Sequence, residues 1–221
     1  DVIVIAAGPA GLAACVAAAE SGAEVICFEK AANTGGTANM GMGPFAVESS
    51  VQKEHMISMT KEEAFNLFMD YVHWQADAKL VHDYFWKSAD TIDWLRDMGV
   101  EFAGSMRNFP QSYETWHVVM PEGGGRPGPR CASTMNKRMT ERAIELGVQF
   151  YLETPAKKLI VEDGKVVGCY ATDKNGEEIE AKAAAVIIAT GGFGTNPEMI
   201  SENTDYTLNE NITTFMVPGV V

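Results

Sequence analysis

The chain begins on a short apolar run, Val2-Ile3-Val4-Ile5, and turns at once through Ala6-Ala7-Gly8-Pro9-Ala10-Gly11 into the Ala-rich stretch from Leu12 to Ser21. Four β-branched residues without alternation suit a parallel strand buried on both faces. Pro9 stands where a first helical turn needs no backbone donor, and Gly22 suits a helix C-terminus. Val25–Phe28 reads as a second buried strand, ending in Glu29. A strand, a glycine turn, a helix and a second strand closed by an acid restrict the fold to a parallel α/β unit. That unit can hold a dinucleotide pyrophosphate on backbone N–H groups at a helix N-terminus.

In such a unit Gly8 lets the backbone approach the pyrophosphate, and Gly11 lets the helix pack close to the strand. Glu29 is placed to accept hydrogen bonds from adenosine ribose hydroxyls and would repel a 2′-phosphate, which disfavours NADP. One position departs from the G-x-G-x-x-G pattern: Ala6 replaces the first glycine. An L-residue resists positive φ, so Ala6 is expected at negative φ with little effect on the cofactor.

Composition narrows the classes further. A formal net charge of −13 argues against general nucleic-acid binding. No apolar run reaches membrane-spanning length. Cys15, Cys27, Cys131 and Cys169 form no C-x-x-C pair, and Cys15 and Cys27 read as small buried hydrophobes. His55, His73, His82 and His117 lack metal-ligand spacing, so no metal is expected. Both ends read as cut. Asp1 enters a strand directly, and Phe215–Val221 ends on apolar residues without a closing element. A cytoplasmic location is favoured, with export open if a leader was removed.

Further along, Thr34-Gly35-Gly36-Thr37-Ala38-Asn39-Met40-Gly41-Met42-Gly43 is a loop with little side-chain bulk, able to wrap a phosphate or lie against a flat ring. Residues 60–99 read as three helices, capped by Thr60, Asp77 and Ser88, with their aromatics and methionines in the core. Residues 100–130 read as irregular, with Arg126 and Arg130 on a Gly/Pro loop. Ala132–Leu146 is an amphipathic helix with Met135, Met139 and Ala143 inward. Val148–Leu152 is a strand. Residues 158–162, 166–172 and 177–181 form an antiparallel meander turned at Asp163-Gly164 and Asn175-Gly176. Another buried strand, from Ala185, runs into Thr190-Gly191-Gly192.

The βαβ unit with Gly8-Pro-Ala-Gly11 and Glu29, the Gly35-Gly36-Thr37 loop, and a meander closing in Ala189-Thr190-Gly191-Gly192 together resemble the FAD-dependent fumarate reductase/succinate dehydrogenase flavoprotein family. The resemblance runs from Asp1 to about Asn196 and is strongest over residues 2–43, 146–161 and 185–200. It implies an α/β fold: a Rossmann-like FAD-binding domain with a parallel sheet, inserted helices and an antiparallel meander. Residues 1–221 would be the N-terminal portion of a longer flavoprotein, with 60–99 a helical insertion. FAD is the implied cofactor. Ala10 and Gly11 would meet its pyrophosphate beside Gly8, and Glu29, followed by Lys30, its ribose. Gly36, Thr37, Ala38, Met42 and Gly43 would lie along pyrophosphate and flavin. Ala156 would meet adenine, and Ala189, Thr190 and Gly191 would pass near the cofactor.

The family's capping domain, with its arginine proton donor, follows the Thr-Gly-Gly strand, so no catalytic residue is assigned here. The implied chemistry is hydride transfer between flavin and an activated carbon–carbon double bond of an enoate-like or steroid-like small molecule. An electron-donor protein or domain is a possible partner. An NAD-linked dehydrogenase and a non-catalytic dinucleotide-binding fragment are the alternatives.

Overall fold

The structure, a computed structural model, describes residues 1–206, 208 and 209. The apolar stretch Phe215–Val221 lies outside the described residues. The chain divides into two compact units. One comprises Asp1–Met40 and the residues from Met139 onward; the other comprises Gly41–Arg138.

The first unit opens with β1 (Val2–Ile5), α1 (Pro9–Glu20) and β2 (Val25–Phe28). The strands pair in parallel, with Ile5 opposite Phe28. Leu12, Cys15 and Val16 are fully buried on one face of α1. Burial of Leu12 and Val16 contributes about 1.5–3 kcal/mol each. Cys27 is equally buried, and all four cysteines are free thiols. A 3-10 turn follows at Gly36–Met40.

The Gly41–Arg138 unit contains α2 (Ser50–Glu54), α3 (Lys61–Tyr71), α4 (Ala78–Asp97), β3 (Phe102–Met106) and β4 (Trp116–Val119). Three departures from the sequence reading occur here. First, residues 60–99 form two helices and not three. Ser88 lies inside α4, where its hydroxyl donates to Phe85 O at 2.7 Å and accepts from Val47 N at 3.1 Å. A hydroxyl satisfied by the preceding turn leaves the helix continuous.

Second, Met69, Phe85, Ile92 and Leu95 are core residues, whereas Tyr71, Trp74, Leu80 and Tyr84 are more than half exposed. Some of the surface aromatics pack on one another instead. Phe65 meets Trp74 and Trp86 edge-on, and His82 stacks on Trp86 at 3.9 Å. Third, residues 100–130 are not wholly irregular. β3 and β4 pair antiparallel, with a register shift between Phe102 and Gly104 that hides the alternation.

After α5 (Ala132–Glu145), with Met135, Met139 and Ala143 buried as its pattern requires, the chain supplies β5 (Gln149–Tyr151) to the parallel sheet. The meander follows as β6 (Ala156–Glu162), β7 (Lys165–Thr172) and β8 (Glu178–Lys182). β9 (Ala185–Ile188) returns to the sheet beside β1, giving the order β5-β2-β1-β9, and α6 (Pro197–Asn203) follows. Ile3, Ile5, Phe28, Cys169 and Ala171 form the core between sheet and meander.

β9 departs from the expectation of a buried strand. Among the described residues it is a sheet edge paired only with β1, and Ile188 is 60% exposed. Among the described residues, no helix is long and apolar enough to cross a membrane, and no cluster of His, Cys, Asp or Glu could hold a metal ion.

Candidate cofactor site

Ile5 lies opposite both Phe28 and Ile188, so Ala6, Glu29 and Ala189 leave the parallel sheet at one level along its carboxyl edge. Ligands of open α/β sheets bind at this edge. α1 starts here, and its N-cap, Gly8, makes no side-chain hydrogen bond to the helix. By contrast, Ser49, Thr60, Asp77 and Asn196 each cap α2, α3, α4 and α6 with a side-chain oxygen. An uncapped first turn leaves N–H groups and a positive dipole end for an external anion. A Cβ on Gly8 would meet no protein atom within 4 Å, so the turn faces open space. These features fit a pyrophosphate.

Gly11 has the opposite surroundings. A Cβ there would overlap the Ala6 carbonyl oxygen and lie 3.4 Å from Ala189 Cβ. Helix and strand are in contact through this glycine.

Ala6 has φ +78°, which corrects the expectation of a negative angle. Its N–H bonds Phe28 O at 2.7 Å, and its carbonyl lies against Gly11, so both neighbours hold the turn in its glycine-like form. An alanine in the left-handed region costs about 1–2 kcal/mol. Ala6→Gly should therefore raise stability by about 0.5–1 kcal/mol after the entropy of the added glycine is subtracted. Urea denaturation measures this directly.

Glu29 is 6% exposed at the end of β2. Its Oε2 accepts from Ala7 N at 2.6 Å and its Oε1 from Ala31 N at 2.7 Å. The carboxylate thus ties the glycine turn to the chain after β2, and a carboxylate has lone pairs left for two further donors. Lys30 beside it is exposed. Glu29 N bonds Tyr151 O at 2.9 Å and Thr154 N bonds Glu29 O at 2.8 Å, which carries the chain into β6 beginning at Ala156. Ala156 packs against the cluster holding Ile5 and Phe28.

The glycine loop closes over the turn. Gly35 N bonds Ala7 O at 2.7 Å, and a Cβ on Gly36 would stand 3.3 Å from Gly8 Cα. Thr37 and Ala38 lie in the 3-10 turn, which the Asn39 side chain braces by donating to Thr34 O at 2.8 Å. Sequence reasoning gave Ala7 and Asn39 no role of their own and named Gly35 only as part of the glycine loop. Only Gly35 carried a local signal. Thr190 and Gly191 are exposed beyond β9, with Gly191 at φ +80°. The first unit therefore carries Gly8, Ala10, Gly11, Glu29, Lys30, Gly36, Thr37, Ala38, Ala156, Ala189, Thr190 and Gly191.

Met42 and Gly43 belong to the Gly41–Arg138 unit. There the segment runs along β4. Val119 N donates to Met42 O at 2.9 Å, Trp116 Nε1 to Gly43 O at 2.9 Å, and His117 N to Pro44 O at 2.8 Å. A Cβ on Gly43 would overlap His117 O.

His117 is fully buried and drew no functional reading from sequence. Burial pushes its imidazole pKa down from 6.5 to about 4, partly offset by the bond to Thr115 O. A histidine neutral in the fold and protonated when unfolded contributes stability that is full above pH 6.5 and lost as pH falls through about 4. The loss should approach about 3 kcal/mol. Denaturation at pH 7 and pH 4 should show it, and His117→Gln should remove most of that pH dependence.

Comparison with known proteins agrees with the geometry. The chain is 34% identical to a vinyl phenol reductase of Lactiplantibacillus plantarum, over 93% of this chain and 40% of that protein. It is 33% identical to a probable fumarate reductase of Shewanella frigidimarina, over 96% of this chain and 36% of that protein. Among solved structures, the open conformation of a flavocytochrome c3 fumarate reductase superposes with a TM-score of 0.81 at 30% identity, covering 91% of this chain and 35% of that one. The chain thus spans well under half the length of these relatives. Residues 1–217 match the FAD binding domain family. With the uncapped glycine turn, the buried terminal acid and the parallel sheet already in place, the chain belongs to that family, and its cofactor is FAD.

Proposed function

We propose that this chain is the FAD-binding portion of an oxidoreductase that reduces, or forms by oxidation, a carbon–carbon double bond conjugated to a carboxylate or an aromatic ring. The observation that carries the reading is the uncapped N-terminus of α1 facing open space beside the buried Glu29. The names of the relatives support the substrate class, because fumarate and vinyl phenol each carry such a double bond.

FAD, when bound, supplies hydride transfer at its flavin ring. The residues of this chain do the binding. The N–H groups of Gly8, Ala10 and Gly11 meet the pyrophosphate, and the free lone pairs of Glu29 accept from the ribose. The Gly36–Ala38 turn covers the phosphates, and Ala156, Ala189, Thr190 and Gly191 border the cofactor. The reducible small molecule and any electron-donor partner belong to the whole protein.

The test is retention of cofactor. After incubation with FAD and with NAD in parallel, followed by desalting, the chain should keep flavin absorbance and release FAD on denaturation. Retention of nicotinamide alone, or of neither, would overturn the reading.

A further inference from the structure

The glycine loop from Thr34 to Met40 has little packing to hold it. Its 3-10 turn buries no residue, and Lys30, Ala32, Asn33, Gly36 and Met40 are exposed. Gly35 and Gly36 both stand at positive φ, +100° and +51°. A segment with few buried contacts opens at low cost unless hydrogen bonds fasten it. The loop nonetheless stands directly against the uncapped turn before α1, since a Cβ on Gly36 would lie 3.3 Å from Gly8 Cα.

Its leading end is fastened at two neighbouring residues. Gly35 N donates to Ala7 O at 2.7 Å, toward the turn. Thr34 Oγ1 bonds Thr140 Oγ1 at 2.8 Å, on α5 and 106 residues away. Thr140 belongs with the loop to the unit that carries β1 and α1. Around it α5 is firmly seated, with Met139 and Ala143 buried. The Thr34 carbonyl is held as well. Asn39 Nδ2 donates to it at 2.8 Å, and the Asn39 amide fills the space that a Cβ on Gly35 would take. Thr34 therefore joins a packed helix, through its hydroxyl, to the 3-10 turn, through its carbonyl.

We propose that Thr34 and Thr140 form a latch: they are positioning residues that hold the glycine loop down on the turn before α1 and so set how long FAD stays bound. The second half of the statement rests on the FAD-binding reading; the first does not. Without the latch the loop lifts about Gly35 and Gly36 more often, and a pyrophosphate lying between loop and helix leaves through that opening.

Two readouts separate the halves. Thr140→Val removes the hydroxyl and keeps the shape of the side chain. In the FAD-free chain it should speed amide exchange at Gly35 about fivefold, the loss expected for one hydrogen bond. Thr34→Val should do the same, and the double variant should add little to either, because both remove one shared bond. Thr140→Ser keeps the hydroxyl and should exchange at the native rate. In the FAD-loaded chain, flavin lost with time after dilution and filtration should leave about fivefold faster from each valine variant and at the native rate from Thr140→Ser. Ile160→Val, a buried change on β6, should lower the urea midpoint and leave Gly35 exchange and flavin release unmoved.

Unchanged exchange at Gly35 in both valine variants, or effects that add in the double variant, overturns the latch. Faster exchange with unchanged flavin release overturns its control of the cofactor, and so does equally fast release from Ile160→Val, which would make the effect one of general stability. A native chain that takes no FAD refutes that half together with the functional reading, and exchange alone then decides the latch.

Discussion

Gly11→Ala is expected to cost at least about 3 kcal/mol, because the added methyl overlaps a main-chain oxygen that cannot rotate away. The Ala6 carbonyl is fixed by the turn, and Ala189 Cβ blocks the other side at 3.4 Å, so α1 must lift from the sheet. That movement carries the N–H groups of the first helical turn away from the pyrophosphate position. A urea titration should show a large drop in midpoint or a chain already unfolded in buffer. Gly8→Ala is the informative partner. Gly8 has φ −69°, open to any residue, and its Cβ meets no protein atom within 4 Å. Its stability should stay within about 0.5 kcal/mol of native while FAD retention falls. Equal destabilisation by the two substitutions would show that the space before Gly8 is not a cofactor site.

Glu29→Ala is the second large effect. It leaves Ala7 N and Ala31 N without their acceptor, one of them buried. The expected loss is about 2–4 kcal/mol of stability, two unsatisfied donors discounted for water reaching Ala31. FAD affinity should fall as well, by about 1–3 kcal/mol from the lost charge-assisted bonds to ribose. Thermal melting of the FAD-free chain isolates the first part, and flavin titration of the folded fraction the second. If melting is unchanged, the carboxylate does not brace the turn. If affinity is unchanged, it does not hold the ribose.

Legibility followed distance along the chain. The βαβ unit was readable because each of its signals is local: an unalternating β-branched run, Pro9 at a helix start, Gly22 after its end, an acid after the next strand. The meander was readable for the same reason, through its Asp163-Gly164 and Asn175-Gly176 turns. β3 and β4 were not, since a register shift breaks the period and their pairing spans a loop. The aromatics of α3 and α4 misled because a run of large apolar residues looks alike whether it packs inward or against neighbouring rings at the surface.

By itself the sequence determined the parallel α/β unit, the glycine turn and the class of cofactor, because helix starts, turn residues and strand patterns act over a few residues. Tertiary structure decided the rest. It forces Ala6 to φ +78°, since Phe28 O and Gly11 grip the turn from two elements. It makes Glu29 a brace for the turn as well as a candidate ribose acceptor. It leaves β9 an edge strand among the described residues, and it buries Ser49 against a histidine 68 residues away. Each of these depends on which distant backbone oxygen or ring arrives alongside, and no local propensity encodes that arrival.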